Sequence, residues 1–473
     1  MKKLSFAKAC CTLFVAGIAL SIHAPAQTFT ALQDFPNSSP TAGLIQGADG
    51  NFYSTLAGGE IGFEGSVYKI TPGGTLTTLF NFCSNGCSDG DFPFGPLVLG
   101  TNGYFYGTTE QGGTADLGNV YNVTAAGTES NVYSFCTTTS CDDGAYPSGP
   151  LIQVGGYLYG STTSTLYKVT LGGALTTLYN FCPTSTSCNQ NGPPYPSGLI
   201  QGEDGNFYGV TSKGGGDNYG TVFKITPAGT LTTLHSFSGS DGANPAGTLV
   251  QGRGGYFYGM TYAGGRGSGS ECADIGSCGT IFRISSGGTF ATLHNFDGTD
   301  GSNPYAGLAL ATDGNFYGTT DLGGGNGTNA GTIFELSPGG RLTTLYNFCS
   351  QSFCLDGTNP QTPLMQATNG TLYGTTAQGG TQTNGTFFSL SMGLAPFVGT
   401  IPTSGRAGVQ VTILGNGLTG TTSVTFNGTA ASFTVVSDTE ITATVPTGAT
   451  TGTVQVTTPS GTLASNVEFR VPH

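Results

Sequence analysis

The chain has 473 residues, 81 of them Gly and none Trp, and only 8% are charged. Its formal net charge of −13 argues against nucleic acid or an acidic lipid surface as partner, because such binding depends on basic side chains displacing counterions. So much Gly disfavours helix almost everywhere while Thr, Tyr, Phe and Val suit strands, and the expectation is an all-β protein.

Residues 1–26 have the plan of a secretory signal peptide: Lys2, Lys3 and Lys8, then "TLFVAGIALSI", then "APA" before Gln27. The apolar run is short for a bilayer span, and no second one follows, so no transmembrane segment is expected after cleavage. Cys10 and Cys11 precede the run and leave with it. Cleavage removes three of 13 basic residues and none of the 26 acidic ones, leaving a mature net charge of −16. The expected location is secreted or extracytoplasmic, in the periplasm or at the cell surface.

After the signal one phrase recurs seven times, as "NFYSTL", "YFYGTT", "YLYGST", "NFYGVT", "YFYGMT", "NFYGTT" and "TLYGTT". Aligned on Tyr53, Tyr106, Tyr159, Tyr208, Tyr258, Tyr317 and Tyr373, the copies are 53, 53, 49, 50, 59 and 56 residues apart, which is the length of a propeller blade. Each period holds four strand-like runs, in the fourth copy "GLIQ" from Gly198, "NFYGVT" from Asn206, "GTVFKIT" from Gly220 and "TLTTLHSF" from Thr230. Asp-Gly, Asn-Gly or Gly-Gly joins the first two runs and supplies the positive φ of a tight hairpin. "PGG" or "PAG" joins the last two, Pro fixing the φ of a turn. Each period therefore reads as a four-stranded antiparallel meander.

Successive aromatics in a strand face opposite ways, so the Phe-Tyr pair calls for apolar cover on both sides, as a blade between two blades receives. The Gly after the pair is expected to leave room where strands converge on a crowded axis. The seventh copy lacks a fourth strand after "GTFFSLSM", whereas an unattached "TFTALQDF" stands at Thr28–Phe35. A closed ring uses that strand and removes the exposed edges of an open one. The expected architecture is a seven-bladed β-propeller over residues 27–395, closed by strand 28–35 beside the blade holding Tyr373.

Ten cysteines fall into five close pairs, Cys83/Cys87, Cys136/Cys141, Cys182/Cys188, Cys272/Cys278 and Cys349/Cys354. Four pairs follow the fourth strand, and in the fourth and fifth copies both partners are missing together. That joint behaviour predicts local disulfides in an exported protein, each worth roughly 2 kcal/mol on the chain-entropy model. A metal reading fails because two sulfurs without a nearby His fill half a zinc shell. Cys272 and Cys278 instead staple a long loop between the second and third strands.

Beyond Gly393 the texture changes to alternating Val, Thr and Ile, and residues 396–473 read as a small β-sandwich. Through "IPTSGRAGVQVTILGNGLTG", "VTFNGTAASFTVVSDTEITATVP" and "GTVQVTTPSG" this segment resembles the IPT/TIG immunoglobulin-like family, which implies a spacer or interaction module. "GNGLTG" satisfies G-x-G-x-x-G but lies between strands, so no dinucleotide site is expected. The repeats, with "DGNFYGTT", "GTVFKITP" and "DGxxP", resemble the bacterial GloVer tandem repeats of exported choice-of-anchor proteins. That resemblance implies an extracytoplasmic protein, often with a C-terminal anchor, although the final "NVEFRVPH" is not an apolar tail.

No H-E-x-x-H or G-x-S-x-G occurs, and His235 and His294 occupy the place of an aromatic in the fourth strand. No catalytic residue is assigned. The position after the repeated phrase carries Glu110, Ser212, Tyr262 and Asp321 in four copies, and variation at one place on a regular scaffold is how a ring would customise a binding face. These four are the candidate ligand-binding residues. No cofactor is called for; calcium is the one ion the loops "SGSDGANP" and "DGTDGSNP" could hold, turn formation being the simpler reading. The expected function is a non-catalytic binding or adhesion scaffold for an extracellular glycan or protein. The alternative is a polysaccharide-active hydrolase or lyase using Glu110 and Asp321 across the ring.

Overall fold

The computed structural model describes residues 27–56, 58, 64–83, 86–137, 140–147, 149–183, 194–266, 272 and 277–472. The expected signal segment 1–26 lies outside them. Among the described residues there is no α-helix, and the strands form a succession of antiparallel sheets, giving an all-β, propeller-like protein.

Among the described residues the repeats build seven sheets, six of four strands and one of five. In the fourth copy the order is Ile200–Gln201, Phe207–Thr211, Thr221–Ile225, Leu231–Ser236, with Phe207 opposite Ile225 and Gly209 opposite Phe223. The hairpin turns where Asp-Gly demands it, with Gly205 at φ 81°. Asp204 also accepts the Tyr208 hydroxyl at 2.7 Å, as Asp49 accepts Tyr53 and Asp313 accepts Tyr317, each at 2.9 Å. The Tyr of the recurring phrase thus buries its ring and ties its polar tip to its own turn.

The second strands are buried along most of their length, as Phe207–Thr211 is throughout, and the fourth are half-exposed. Each apolar core is shared by two consecutive sheets. Tyr53 and Phe82 pack with Leu97 and Phe105, Tyr208 and Phe237 with Leu249 and Phe257, and so on to Tyr373 and Phe387, which pack with Phe52 and Tyr68 of the first repeat. The succession of shared cores therefore returns to its starting sheet. Glutamines of the innermost strands fasten neighbours: Gln46 Oε1 accepts the Thr368 amide, Gln251 Oε1 that of Glu203, and Gln366 Oε1 that of Thr312.

Thr28–Asp34 pairs antiparallel with Thr386–Ser391, Thr28 opposite Ser391 and Asp34 opposite Thr386. Third and fourth strands of the other copies meet through one recurring register shift, as at Val222/Phe223, and the N-terminal strand repeats it at Ala31/Gln33. The Phe35 amide donates to the Gly385 carbonyl at 3.1 Å, as Phe237 does to Gly220 at 3.0 Å. The N-terminal strand occupies the place of a fourth strand in its pairing, its register shift and the bond made by its closing Phe.

The glycine of the phrase is crowded from two sides. A Cβ on Gly209 would stand 2.7 Å from the Phe223 ring, and one on Gly318 would stand 2.5 Å from that of Phe334. The aromatic on the paired third strand takes the room first, and the leucine before the first strand closes it, Leu199 at 3.2 Å for Gly209 and Leu308 at 2.9 Å for Gly318.

The second repeat carries two acids where its sisters carry none. Asp91 stands where other copies have Ala145, Ala243, Ser302 or Thr358; it is 8% exposed and its Oδ1 has no partner. Burial, with the charges of Glu64, Asp116 and Asp89, pushes its carboxyl up to about 6. Glu129 replaces a half-buried Leu or Phe, and burial together with Asp89 pushes it up to about 7. With a folded value above the ordinary 4.5, the stability Glu129 permits is complete below that pH and is lost as pH rises through about 7. Glu129→Leu is expected to flatten the decline in melting temperature between roughly pH 5 and pH 8. An unchanged slope would assign the decline to other groups.

Disulfides join Cys83–Cys87, Cys136–Cys141, Cys272–Cys278 and Cys349–Cys354. Cys182 is also disulfide-bonded, and its expected partner Cys188 lies outside the described residues. In the two stapled loops at Asp143 and Asp356 the acid accepts a Tyr hydroxyl, from Tyr133 at 2.8 Å and Tyr346 at 2.7 Å. The two loops without cysteine use His instead, His235 on Asp241 at 2.9 Å and His294 on Asp300 at 2.7 Å.

Residues 399–464 form two further four-stranded sheets around one core that includes Val411, Ile413, Phe426, Ile441 and Val456. This unit rests on the hairpin turns between first and second strands. The Thr439 hydroxyl donates to the Ala48 carbonyl at 2.6 Å, the Phe397 amide donates to that of Thr368 at 3.0 Å, and Arg470 lies in the field of Glu203 and Asp204. The two hydrogen bonds come from the first and seventh repeats, and Arg470 feels the charges of the fourth, so the unit sits at that end of the sheets.

Candidate functional site: the open mouth

The opposite end of the axis is lined by the residues flanking a recurring proline. The residue before it lies in the left-handed region in six copies: Phe92 (φ 51°), Tyr146 (56°), Tyr195 (49°), Asn244 (52°), Asn303 (53°) and Asn359 (55°). A side chain seldom adopts that conformation, Asn most readily, and a following proline disfavours helical values further. What holds it is a bond to the preceding repeat. The Asn244 side-chain amide donates to the Ser212 carbonyl at 3.0 Å, Asn303 donates to that of Tyr262 at 3.1 Å, and Asn359 donates to that of Asp321 at 3.2 Å. Three of the four candidate residues are therefore set in place by the next copy's asparagine.

Between them opens a cavity of about 480 Å³ walled by Tyr195, Ser212, Tyr262, Tyr305 and Gln361, with Pro96, Pro150 and Pro363 toward the axis. Tyr195 is 42% exposed and Tyr305 44%, large apolar faces that a folded protein would otherwise cover. The Tyr262 and Tyr305 rings meet edge to face, 6.1 Å between centroids. The Lys213 ammonium lies 5.2 Å from the Tyr195 ring.

Of the four candidates, Ser212 and Tyr262 are cavity walls. Asp321 is 8% exposed, its Oδ1 accepting the Gln361 amide at 3.2 Å. Burial pushes its carboxyl up, and the bonds from Gln361 and Asn359 only partly offset that. Burial and then the Asp321 charge raise the Tyr262 and Tyr305 hydroxyls, and Glu110 adds to the effect at Tyr305. Glu110 is the penultimate residue of the strand Phe105–Gln111 in the second repeat while Asp321 belongs to the sixth, so Tyr305 stands in the field of acids from two separated copies. Sequence reasoning missed Tyr195, Tyr305 and Gln361. Their signal was the variable residue beside the proline in "YPSG", "NPYAG" and "NPQT".

A second cavity of about 520 Å³, at the junction with the C-terminal sheets, is walled by Asp49, Gly100, Phe105, Ile401, Thr412 and Thr439, and none of the candidate residues reaches it.

Among solved structures, the extracellular domain of the one-component system BT4673 from B. thetaiotaomicron is similar at 13% identity and TM-score 0.49, over 82% of this chain and 46% of that one. This chain thus spans about half the length of that protein. The WD40 β-propeller domain of Doa1 is similar at 10% identity and TM-score 0.47, over 77% and 97% of the two chains. A Bacteroides thetaiotaomicron protein of unknown function gives 12% identity and TM-score 0.42, over 77% and 76%. No curated protein matches the sequence. The Gloeobacter/Verrucomicrobia repeat model matches residues 14–165, 161–388 and 271–450, and the chain belongs to that repeat family.

Proposed function

We propose that the protein is an exported binding scaffold whose seven repeat sheets are the blades of a closed propeller, and that the cavity at its open mouth takes an extracellular glycan. Residues 396–473 serve as an IPT/TIG-like, immunoglobulin-type spacer at the opposite end. The observation that carries this reading is the set of exposed tyrosines around one cavity, with Ser212 and Gln361 supplying hydrogen bonds; sugar rings offer apolar faces to such tyrosines and hydroxyls to such groups. No resident cofactor is needed. The Asp300 carboxylate already accepts the Asp297 amide and pairs with His294. A calcium-dependent rise in melting temperature that vanished in Asp300→Ala would instead place an ion in that loop.

A glycan array probed with the full chain tests the reading. Retention without product, lost in Tyr262→Ala/Tyr305→Ala, is the expected outcome, with affinity falling by about tenfold or more for two lost stacking faces. Release of oligosaccharide that stops in Glu110→Gln or Asp321→Asn would make the protein a hydrolase or lyase. Retention on no glycan would turn attention to a protein partner.

A further inference from the structure

One disulfide has a buried carboxyl group against it. Cys83 Sγ, Cys87 Sγ and a carboxylate oxygen of Asp91 all lie within 4.8 Å of one another. Turns of the chain bring them together: the Gly90 and Gly113 amides donate to the Cys87 carbonyl at 3.1 and 2.9 Å, and Asp91 then pairs with Gln111 of the adjoining strand. Asp89, the counterpart of Asp143 and Asp356, accepts the Cys83 amide at 3.1 Å, whereas Asp91 is 8% exposed and its Oδ1 has no partner. Asp91 is therefore an addition to the loop rather than part of what folds it, and burying an unpartnered carboxyl is costly.

The sister loops supply the comparison. Cys349 and Cys354 are half-buried, as Cys83 and Cys87 are, but Thr358 stands where Asp91 does. Beside Cys136–Cys141 the same place holds Ala145. Half-exposed sulfurs are open to an external thiol. In such an exchange one sulfur departs as a thiolate, and a proton donor in hydrogen-bond reach, or one water away, eases its departure. The separation of Asp91 from both sulfurs is the one-water case.

We infer that Cys83–Cys87 is a thiol–disulfide exchange site in which Asp91 hands a proton to the departing sulfur and recovers it from the incoming thiol. An external thiolate attacks one sulfur, the S–S bond breaks with its electron pair on the other, and that sulfur takes the Asp91 proton. A second external thiol gives its proton to the Asp91 carboxylate and attacks the mixed disulfide, expelling the first cysteine sulfur, which takes that proton in turn. The external thiols, having given two electrons, leave joined as a disulfide, and the protein is left as the dithiol. Run backwards, the dithiol reduces an external disulfide. None of the three residues lines the mouth cavity, so the site is independent of the glycan reading.

The test treats the full chain with the monothiol β-mercaptoethanol from roughly pH 5 to pH 8 and follows each cysteine pair by alkylation and mass spectrometry. Dividing the rate at Cys83–Cys87 by that at Cys349–Cys354 cancels the thiolate content of the reagent. The ratio is expected to be about tenfold or more at the acid end of the range. It should fall as pH rises through about 6, where Asp91, its carboxyl pushed up by burial and by the charges of Glu64, Asp116 and Asp89, loses its proton. Asp91→Asn is expected to bring the ratio near one at every pH. Asp116→Asn, which removes a neighbouring charge but keeps an acceptor for the Gly112 amide, is expected to leave the excess in place. A ratio near one in the wild type, or an excess that survives Asp91→Asn, overturns the site. An excess independent of pH also overturns it, since easier access to the sulfurs would then explain the result.

Discussion

Removing residues 27–35 is expected to make the chain self-associate or fail to fold. The strand Thr28–Asp34 covers the edge of Thr386–Ser391 along its length, and Phe35 is fully buried in the core joining the last sheet to the first. Without it the third strand of the last sheet presents unpaired amides and carbonyls, a template for another chain. Phe35→Ala alone is expected to cost about 3–5 kcal/mol as a large buried ring is lost. The Phe29 ring, stacked 3.9 Å from that of Tyr346, adds a second apolar anchor. Size-exclusion chromatography and a denaturant melt read both effects. A truncated chain that eluted as the full chain does, with an unchanged midpoint, would mean that the strand is dispensable decoration.

Replacing Cys272 and Cys278 together by Ser is expected to be the most damaging change among the disulfides. The two residues are 2% and 0% exposed and sit in the core shared by the fifth and sixth sheets, with Met260, Ile281 and Phe316. Losing the link costs about 2 kcal/mol in loop-closure entropy, and two hydroxyls buried among apolar groups add more, on the order of 4 kcal/mol in all. Cys83 and Cys87 are only half-buried, so their double replacement is expected to cost about 2 kcal/mol, the loop-closure part alone. Thermal melts of the two variants decide the point, since equal shifts would show that the core position of Cys272 and Cys278 is irrelevant. Because Gly264 and Arg266, just beyond Tyr262, are held through Ser277 and Asn295, the same change is expected to loosen that wall of the mouth.

Much of this architecture could be read from local chemistry. Asp-Gly turns, paired aromatics and paired cysteines act over a few residues, and a period near 50 residues exposes them by repetition. The glycine of the recurring phrase was harder, because its crowding partner, Phe223 for Gly209, lies on another strand and meets it only through register. The mouth was half legible. Ser212 and Tyr262 stood out at a variable position, but Tyr195 and Tyr305 belong to segments whose left-handed backbone is held by bonds between repeats, which no single period reveals. Asp91 and Glu129 look like ordinary surface acids in the sequence; only alignment with Ala243 or Leu231 in the other copies shows that they stand where small or apolar side chains belong.

The pairing of Thr28 with Ser391 also sets an order of events. During synthesis the first strand emerges long before its partner exists, and the core around Phe35 has to wait for Phe387. Such distant contacts make for slow acquisition of the native state, with aromatic segments unprotected meanwhile. Ribosome-bound chains ending anywhere short of residue 391 would therefore carry an incomplete molecule that protease should cut readily, and resistance should arrive late and abruptly.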